Sequence, residues 1–215
     1  MALSKVNFNS LNLTPTANKT VVFNSNNNGI EAGDVGGALT LISTTTVSSG
    51  TSTVSITSGL DSTYKEYIFK FYNIHPGTDN AGFSFNGSAD GGSNYNVTKT
   101  STYFRSFNFE DDSATGVQYQ TNEDLAQGTG FQSLADRVGN DADASCAGTL
   151  HLFDPSNTVG VKHFFSRFNR MFSDPVTADD FMGGYGNTTS DVDAIQFKFS
   201  SGNIDACTIK MYGVS

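Results

Sequence analysis

Short segments in which apolar and polar residues alternate recur along this sequence and constrain its fold more than any other feature. In "AIQFKFS", the apolar residues Ile195, Phe197 and Phe199 alternate with polar ones. A period of two residues places the three apolar side chains on one face of a β-strand. No segment keeps a helical period long enough to predict a regular helix. The pattern therefore predicts an all-β chain.

Roughly ten such strands follow one another, separated by turns rich in Gly, Asn and Ser. Only 15% of the residues are charged, while the chain has 18 Phe and 22 Gly, a composition that favours strands and tight turns over helices. We predict an antiparallel, jelly-roll-like β-sandwich over residues 38–215. The clearest segments besides the first are "ALTLISTTTV", "TSTVSIT", "YKEYIFKFYNI", "GFSFNGS", "NYNVTKT", "TYFRSFNF", "CAGTLHLF", "VGVKHFFSRFN" and "ACTIKMYGV". In the weakest stretch, 111–143, "FQSLADRV" fits either a short helix or a strand.

Two turn signals predict β-hairpins. Ser49-Gly50 lies between two alternating segments, and Asp90-Gly91-Gly92 lies between "FSFNGS" and "NYNV". Asp90 stands without the other acidic ligands of an EF-hand loop, and no Lys and helix follow as in a phosphate-binding loop. We therefore expect the second signal to be the tip of a hairpin. The Gly-rich segment "FMGGYGN" is expected to be a sharp bend or a close backbone approach.

Residues 1–37 differ from the rest and are predicted to form an extended N-terminal arm. Val6 and Phe8 alternate with Asn in "VNFNSLNL", Val21 begins a short apolar run, and the segment ends in Gly36-Gly37. Strand-like pieces of this kind can pair with another chain, although a disordered terminus is the alternative. The first residues do not have the apolar run of a secretory signal, and no stretch has the length of a membrane-spanning helix.

The net charge of −9 argues against a nucleic-acid partner. Lys162, Arg167 and Arg170 are close in sequence, but three cations are too few to change that conclusion.

Few residues have the spacing of a catalytic or metal site. His151 and His163 lie in adjacent predicted strands and could share a metal, although ordinary strand histidines are more common. His75, before Pro76, is expected to cap a loop. Cys146 and Cys207 are expected to be buried free thiols, with a disulfide as the alternative.

The carboxylates are expected to be solvated, because they occur in polar turns. Glycoside hydrolysis would need a carboxylate pair with one member in an apolar setting, and none is evident. Asp191 and Asp193 could hold a structural cation. We predict no catalytic residues, no cofactor and no metal, and hence a protein that is not an enzyme. The clusters are Glu110-Asp111-Asp112, Asp141 and Asp143, Asp179-Asp180, and Asp191 and Asp193.

Some apolar residues fall on the second face of alternating strands. Ile68, Phe104 and Phe164 are either subunit contacts or members of a larger core.

Three segments resemble structural proteins of tailed bacteriophages, particularly phages of marine cyanobacteria. In the third segment, which includes Gly202 and Val214, Cys207 stands where such proteins usually have Gly. The first matches at Tyr64, Tyr67, Phe69, Phe71, Asn73, Ile74 and Pro76; the second at Asp90, Gly91, Gly92, Ser93 and Tyr95; the third at Gly202, Asn203, Ile204, Ile209, Met211, Tyr212, Gly213 and Val214.

This resemblance implies a virion component, made in the host cytoplasm, such as a tail-fibre, tail-associated or capsid-decoration protein. Its expected partners are copies of itself, with a trimer favoured by analogy, and other virion proteins. The alternative is a module that binds host-surface carbohydrate through loop aromatics such as Tyr103, Tyr119 or Tyr185, although the chain has no Trp.

Overall fold

The computed structural model describes residues 19–23, 26, 29–34 and 39–215, and every regular element in them is a β-strand. The chain divides into two compact units, Met1–Ala38 and Leu39–Ser215. The first unit contains β1 (Lys19–Phe23) and β2 (Ile30–Asp34). The strands of the second unit are β3 (Leu39–Val47), β4 (Val54–Ile56), β5 (Glu66–Pro76), β6 (Ala81–Ser88), β7 (Lys99–Phe109), β8 (Thr115–Tyr119), β9 (Gln132–Val138), β10 (Cys146–Phe153), β11 (Lys162–Met171), β12 (Val176–Gly186), β13 (Ala194–Phe199) and β14 (Ile204–Val214).

Two antiparallel sheets form the second unit. The larger has eight strands in the order β3-β14-β5-β10-β11-β12-β7-β8, and the smaller has four in the order β4-β13-β6-β9. Their facing sides enclose one main apolar core, so the predicted antiparallel β-sandwich is confirmed.

Phenylalanine rings from both sheets fill the centre of this core. Phe71 and Phe168 of the larger sheet pack against Phe83 and Phe197 of the smaller one, with ring centroids 5.1–6.2 Å apart between the sheets. Alternation predicted this arrangement for β13, where Ile195, Phe197 and Phe199 are all buried. "FQSLADRV", which fitted a helix or a strand, forms β9.

Both predicted hairpins are wrong, because each turn carries the chain from one sheet to the other. β3 pairs with β14, whereas β4, after Ser49-Gly50, pairs with β13. β6 pairs with β9 and β13, whereas β7, after Asp90-Gly91-Gly92, pairs with β8 and β12. The turns themselves are present: Gly50, Gly91 and Gly92 have φ values of 68°, 70° and 84°. Glycine suits these positions because it adopts positive φ without strain.

In the first unit, β1 and β2 form an antiparallel pair whose register runs from Lys19 opposite Asp34 to Phe23 opposite Ile30. Val21 and Phe23 are exposed, Phe23 by 76%. A two-stranded pair of this size is marginally stable alone in water, so its exposed apolar residues are typical of a segment that pairs with a partner. The alternation predicted at Val6 and Phe8 and the end of the arm at Gly36-Gly37 lie outside the described residues.

Candidate functional site

The outer face of the eight-stranded sheet, the side turned away from the smaller sheet, is the most extensive candidate for a functional surface. Pairing registers align its side chains in two rows, the first crossing all eight strands and the second crossing every strand except β8. The first row, called the outer row, is Tyr119, Phe104, Phe181, Arg167, Thr149, Lys70, Lys210 and Thr44. The second row is Thr102, Gly183, Phe165, His151, Ile68, Tyr212 and Leu41.

Aromatic rings stack at two places on this face. Phe104 and Phe181 lie in parallel planes with centroids 4.9 Å apart, and the Arg167 guanidinium lies 5.1 Å from the Phe181 ring. In the second row, the His151 ring stacks on Phe165 at 4.4 Å. Stacked rings lose little conformational entropy when they are covered by a partner, so they are effective anchors of an interface.

Three cations lie in the outer row, although the chain as a whole is acidic. Lys70 and Lys210 face one another across β5 and β14, and Arg167 makes a two-point contact with Asp179 at 2.7 and 2.9 Å. The carboxylates on this face include Asp179 and Glu66, the latter accepting a hydrogen bond from Nδ1 of His151 at 2.6 Å. The two rows themselves contain three cations and no carboxylate on a protein with net charge −9, which favours an acidic partner surface.

The size of the face is that of a protein interface. Eight strands spaced about 4.8 Å apart span roughly 34 Å, and an eleven-residue strand is roughly 36 Å long. The area given by this width and this length exceeds the ~800 Å² that each partner contributes to a standard protein–protein interface.

The second-face residues predicted from the sequence divide between surface and core. Phe104 is exposed and Ile68 half-buried on the outer face, whereas Phe164 points inward and is 4% exposed. Phe164 packs on Phe85 of the smaller sheet with ring centroids 5.3 Å apart, so it belongs to the core.

The three tyrosines named for sugar stacking do not form one site. Tyr103 is fully buried on the inner face of β7, so its predicted exposure on a loop is wrong. Tyr119 lies on β8, at the end of the sheet, and Tyr185 lies on the outer face of β12, two strands away.

The three basic residues that are close in sequence do not form a cluster in the structure, because their side chains point in different directions. Arg167 is on the outer face, whereas the side chains of Lys162 and Arg170 are inside the sandwich. Nζ of Lys162 donates to the carbonyl oxygens of Asn157, Gly160 and Thr188.

Arg170 forms a fully buried ion pair with Asp180. Its Nε donates to Oδ2 of Asp180 at 2.5 Å, and neither side chain is exposed. Burial raises the pKa of the Asp180 carboxyl, while the charge of Arg170 opposes this shift. The expectation that the acids at 179–180 are solvated is therefore wrong for Asp180. The sequence contained a signal for this, since Asp180 alternates in phase with Ala178 and Met182, which are buried.

The histidines do not converge on a metal. His151 is engaged by Glu66, His163 lies near the Tyr185 ring, and His75 donates from Nε2 to the carbonyl oxygen of Asp141 at 3.1 Å. Nowhere in the described part of the chain do three His, Cys, Asp or Glu side chains come together as metal ligands.

The other candidates have structural roles. Cys146 and Cys207 are buried free thiols, as expected, and burial raises the pKa of each. The Asp90 carboxylate accepts hydrogen bonds from Asn94 and Ser88 within its own turn. These hydrogen bonds stabilise the turn and lower the pKa of Asp90 to about 2. Asp193 accepts the Gly91 N–H at 3.0 Å.

The remaining acids, Glu110, Asp111, Asp112, Asp141, Asp143 and Asp191, are exposed. Gly184 makes the close approach expected in "FMGGYGN", because a Cβ there would lie 2.8 Å from Cα of Ser101.

No family model, curated protein or solved structure matches this chain. Among the residues described, no helix has the length and hydropathy to span a membrane.

Proposed function

We propose that this chain is a non-enzymatic structural subunit of a bacteriophage virion: a tail-fibre, tail-associated or capsid-decoration protein. The observation that carries the assembly role is the outer face, which is wide and whose two rows combine aromatic rings with three cations on an acidic protein. The phage context rests on the sequence resemblance at the three segments named above. Buried ionic groups such as Arg170 and Asp180 neutralise one another inside the sandwich, which is consistent with a structural rather than a catalytic use.

The occupant proposed for the outer face is a second copy of the chain. The cations Lys70, Arg167 and Lys210 would meet acidic loops of the neighbouring copy, since the remainder of the sandwich is strongly acidic. Closed symmetry is the rule for such contacts, and a trimer is favoured by analogy with phage fibres. The N-terminal arm would add its exposed strand pair to a neighbouring virion protein.

Light scattering on the full-length protein tests the contact between copies. We expect an oligomer at micromolar concentration. A double substitution, Phe104→Asp with Phe165→Asp, is expected to weaken association by roughly thirtyfold or more, because central aromatic residues each contribute about 2 kcal/mol or more to an interface.

The matched control is Val159→Asp, which adds a charge at an apolar residue that is 86% exposed in the loop between β10 and β11. This variant should associate like the parent. A monodisperse parent monomer, or a double variant that associates normally, contradicts the proposed contact.

Virion membership is tested separately by immunogold labelling and mass spectrometry of purified particles of the encoding phage. Particles that lack the chain would remove the virion role while leaving the self-association result intact. If residues 1–37 anchor the subunit, a truncated chain lacking them should be absent from particles.

A further inference from the structure

A cleft of about 260 Å³ opens beside the buried Arg170–Asp180 pair, between the inner face of β7 and β8 and the edge strand β9 of the smaller sheet. We call it the arginine cleft. Its lining includes Arg105, Arg137, Phe107, Phe172, Gln118 and Asp174. None of these residues was singled out by its sequence pattern.

The floor of the cleft combines an aromatic ring with guanidinium groups. The Phe172 ring lies 3.9 Å from Cζ of Arg170, 4.9 Å from Cζ of Arg137 and 5.7 Å from Cζ of Arg105. Three cations around one ring need anionic partners, because cation–π attraction alone does not replace the lost hydration.

The carboxylates beside these cations do not give every guanidinium a close partner. Asp180 pairs with Arg170, and Asp136 lies within 4.0 Å of all three guanidiniums. A single oxygen, Oδ2 of Asp136, lies 2.9 Å from Nε of Arg137 and 3.4 Å from Nη1 of Arg105.

Arg105 is the least satisfied member of the cluster. Its side chain is 11% exposed, its contacts with Asp136 and Gln118 are long at 3.4 and 3.5 Å, and its buried Nε has no partner. Burial, followed by repulsion from Arg137 and Arg170, lowers the pKa of Arg105. A buried donor without a partner is costly, and an anion bound in the cleft would offset that cost.

The backbone is strained where it presents Arg137. Two residues of β9, Asp136 and Arg137, lie opposite the single residue Gly82 of β6, which is a β-bulge. Arg137 has a φ of 46°, a conformation that is unfavourable for a long side chain. Bulges of this kind redirect side chains and are frequent beside functional sites.

The rest of the lining favours a sugar over a bare anion. Phe107 and Phe109, both half-buried in the lining, offer apolar ring surfaces of the kind that pack on the C–H faces of sugars. Asp174, exposed at the rim, would repel a small free anion but can accept hydrogen bonds from hydroxyl groups.

We propose that the arginine cleft binds a single sugar residue bearing a carboxylate. Arg105 and Arg137 would pair with the carboxylate, and Phe107 and Phe109 would pack on the sugar ring. This site is separate from the outer face and does not depend on assembly.

Calorimetric titration of the full-length protein with methyl glucuronide, methyl glucoside and acetate tests this site. We expect glucuronide to bind in the millimolar range or tighter and glucoside to bind at least roughly tenfold more weakly, because the charged hydrogen bonds are lost. Acetate, which has the carboxylate but no ring, should also bind more weakly. Equal binding of glucoside, equal binding of acetate, or no binding of glucuronide would each overturn the proposal.

Arg137→Gln should weaken glucuronide binding by about tenfold, and its side chain is 47% exposed, so the fold should be retained. The matched control is Arg167→Gln on the outer face, which also removes an exposed arginine paired with an aspartate. Affinity that is the same in both variants would show that the ligand binds elsewhere and would refute the assignment.

Discussion

Lys99, the first residue of β7, has its ammonium group inside the sandwich. The residue is 1% exposed, and Nζ donates to Oδ1 of Asn86 at 2.5 Å and to the carbonyl oxygen of Val97 at 2.7 Å. Neither partner is charged, and Lys162 lines the same small cavity. Burial therefore lowers the pKa of Lys99 from 10.5 to about 7.

This shift makes stability depend on pH in a defined direction. Between pH 7 and 10.5 the unfolded chain holds the Lys99 proton more tightly than the folded chain, so stability increases with pH across this window. Below pH 7 both states are protonated, and the full cost of burying the charge is present.

Replacing Lys99 by Met should remove this dependence. The stability of Lys99→Met relative to the parent should fall by about 2 kcal/mol between pH 7.5 and 9.5, since one pKa unit corresponds to about 1.4 kcal/mol. Urea unfolding of both proteins at several pH values measures this stability difference. Lys65→Met, at a side chain that is 78% exposed, is the control and should track the parent at every pH. Parallel curves for the parent and Lys99→Met would contradict the buried-charge argument.

At the scale of the element, β12 contains two adjacent glycines in very different surroundings. A Cβ on Gly184 would lie 2.8 Å from Cα of Ser101 in β7, whereas a Cβ on Gly183 would have no neighbour closer than 3.9 Å. The absence of a side chain at Gly184 is therefore required for β12 and β7 to pair at their observed distance.

The pair provides a matched test of this requirement. Gly184→Ala is expected to destabilise the protein by about 1–3 kcal/mol through overpacking. Gly183→Ala should change stability by less than about 1 kcal/mol, because its methyl group makes only ordinary van der Waals contacts and restricts the unfolded chain. Denaturant unfolding measures the stability of both variants. Equal losses of stability would show that the distance between β12 and β7 adjusts to a methyl group at Gly184.

At the scale of the whole molecule, the described apolar core of the sandwich is formed by residues of the second unit. The two apolar clusters of the second unit are formed by described residues between Ile42 and Met211. The first unit, Met1–Ala38, is a separate compact unit.

Deletion of residues 1–37 should therefore leave the sandwich folded. We expect circular dichroism and the urea midpoint of the truncated chain to match those of the full chain, because every core residue in the described part of the chain is retained. A truncated chain that is unfolded, or less stable by more than about 1 kcal/mol, would show that the arm contributes to the fold.

The sequence by itself determined the fold class. Alternation in β13 identified Ile195, Phe197 and Phe199 as an inward row, and the same reasoning predicted strands at "CAGTLHLF" and "VGVKHFFSRFN", which form β10 and β11. It also identified Cys146 and Cys207 as buried thiols. These properties follow from local chemistry, since a period of two residues sorts side chains onto two faces whatever the partner strand is.

Only the tertiary structure decided which strands pair and which face is covered. Ser49-Gly50 and Asp90-Gly91-Gly92 specify turns, but a turn does not specify that the strands on either side enter the same sheet. Phe104 and Phe164 both fall on the second face of alternating strands in the sequence, yet one is exposed and the other buried. Arg105, Arg137 and Phe172 come from separate parts of the chain and meet only because β7, β9 and the end of β11 are brought together by long-range packing, which no local pattern encodes.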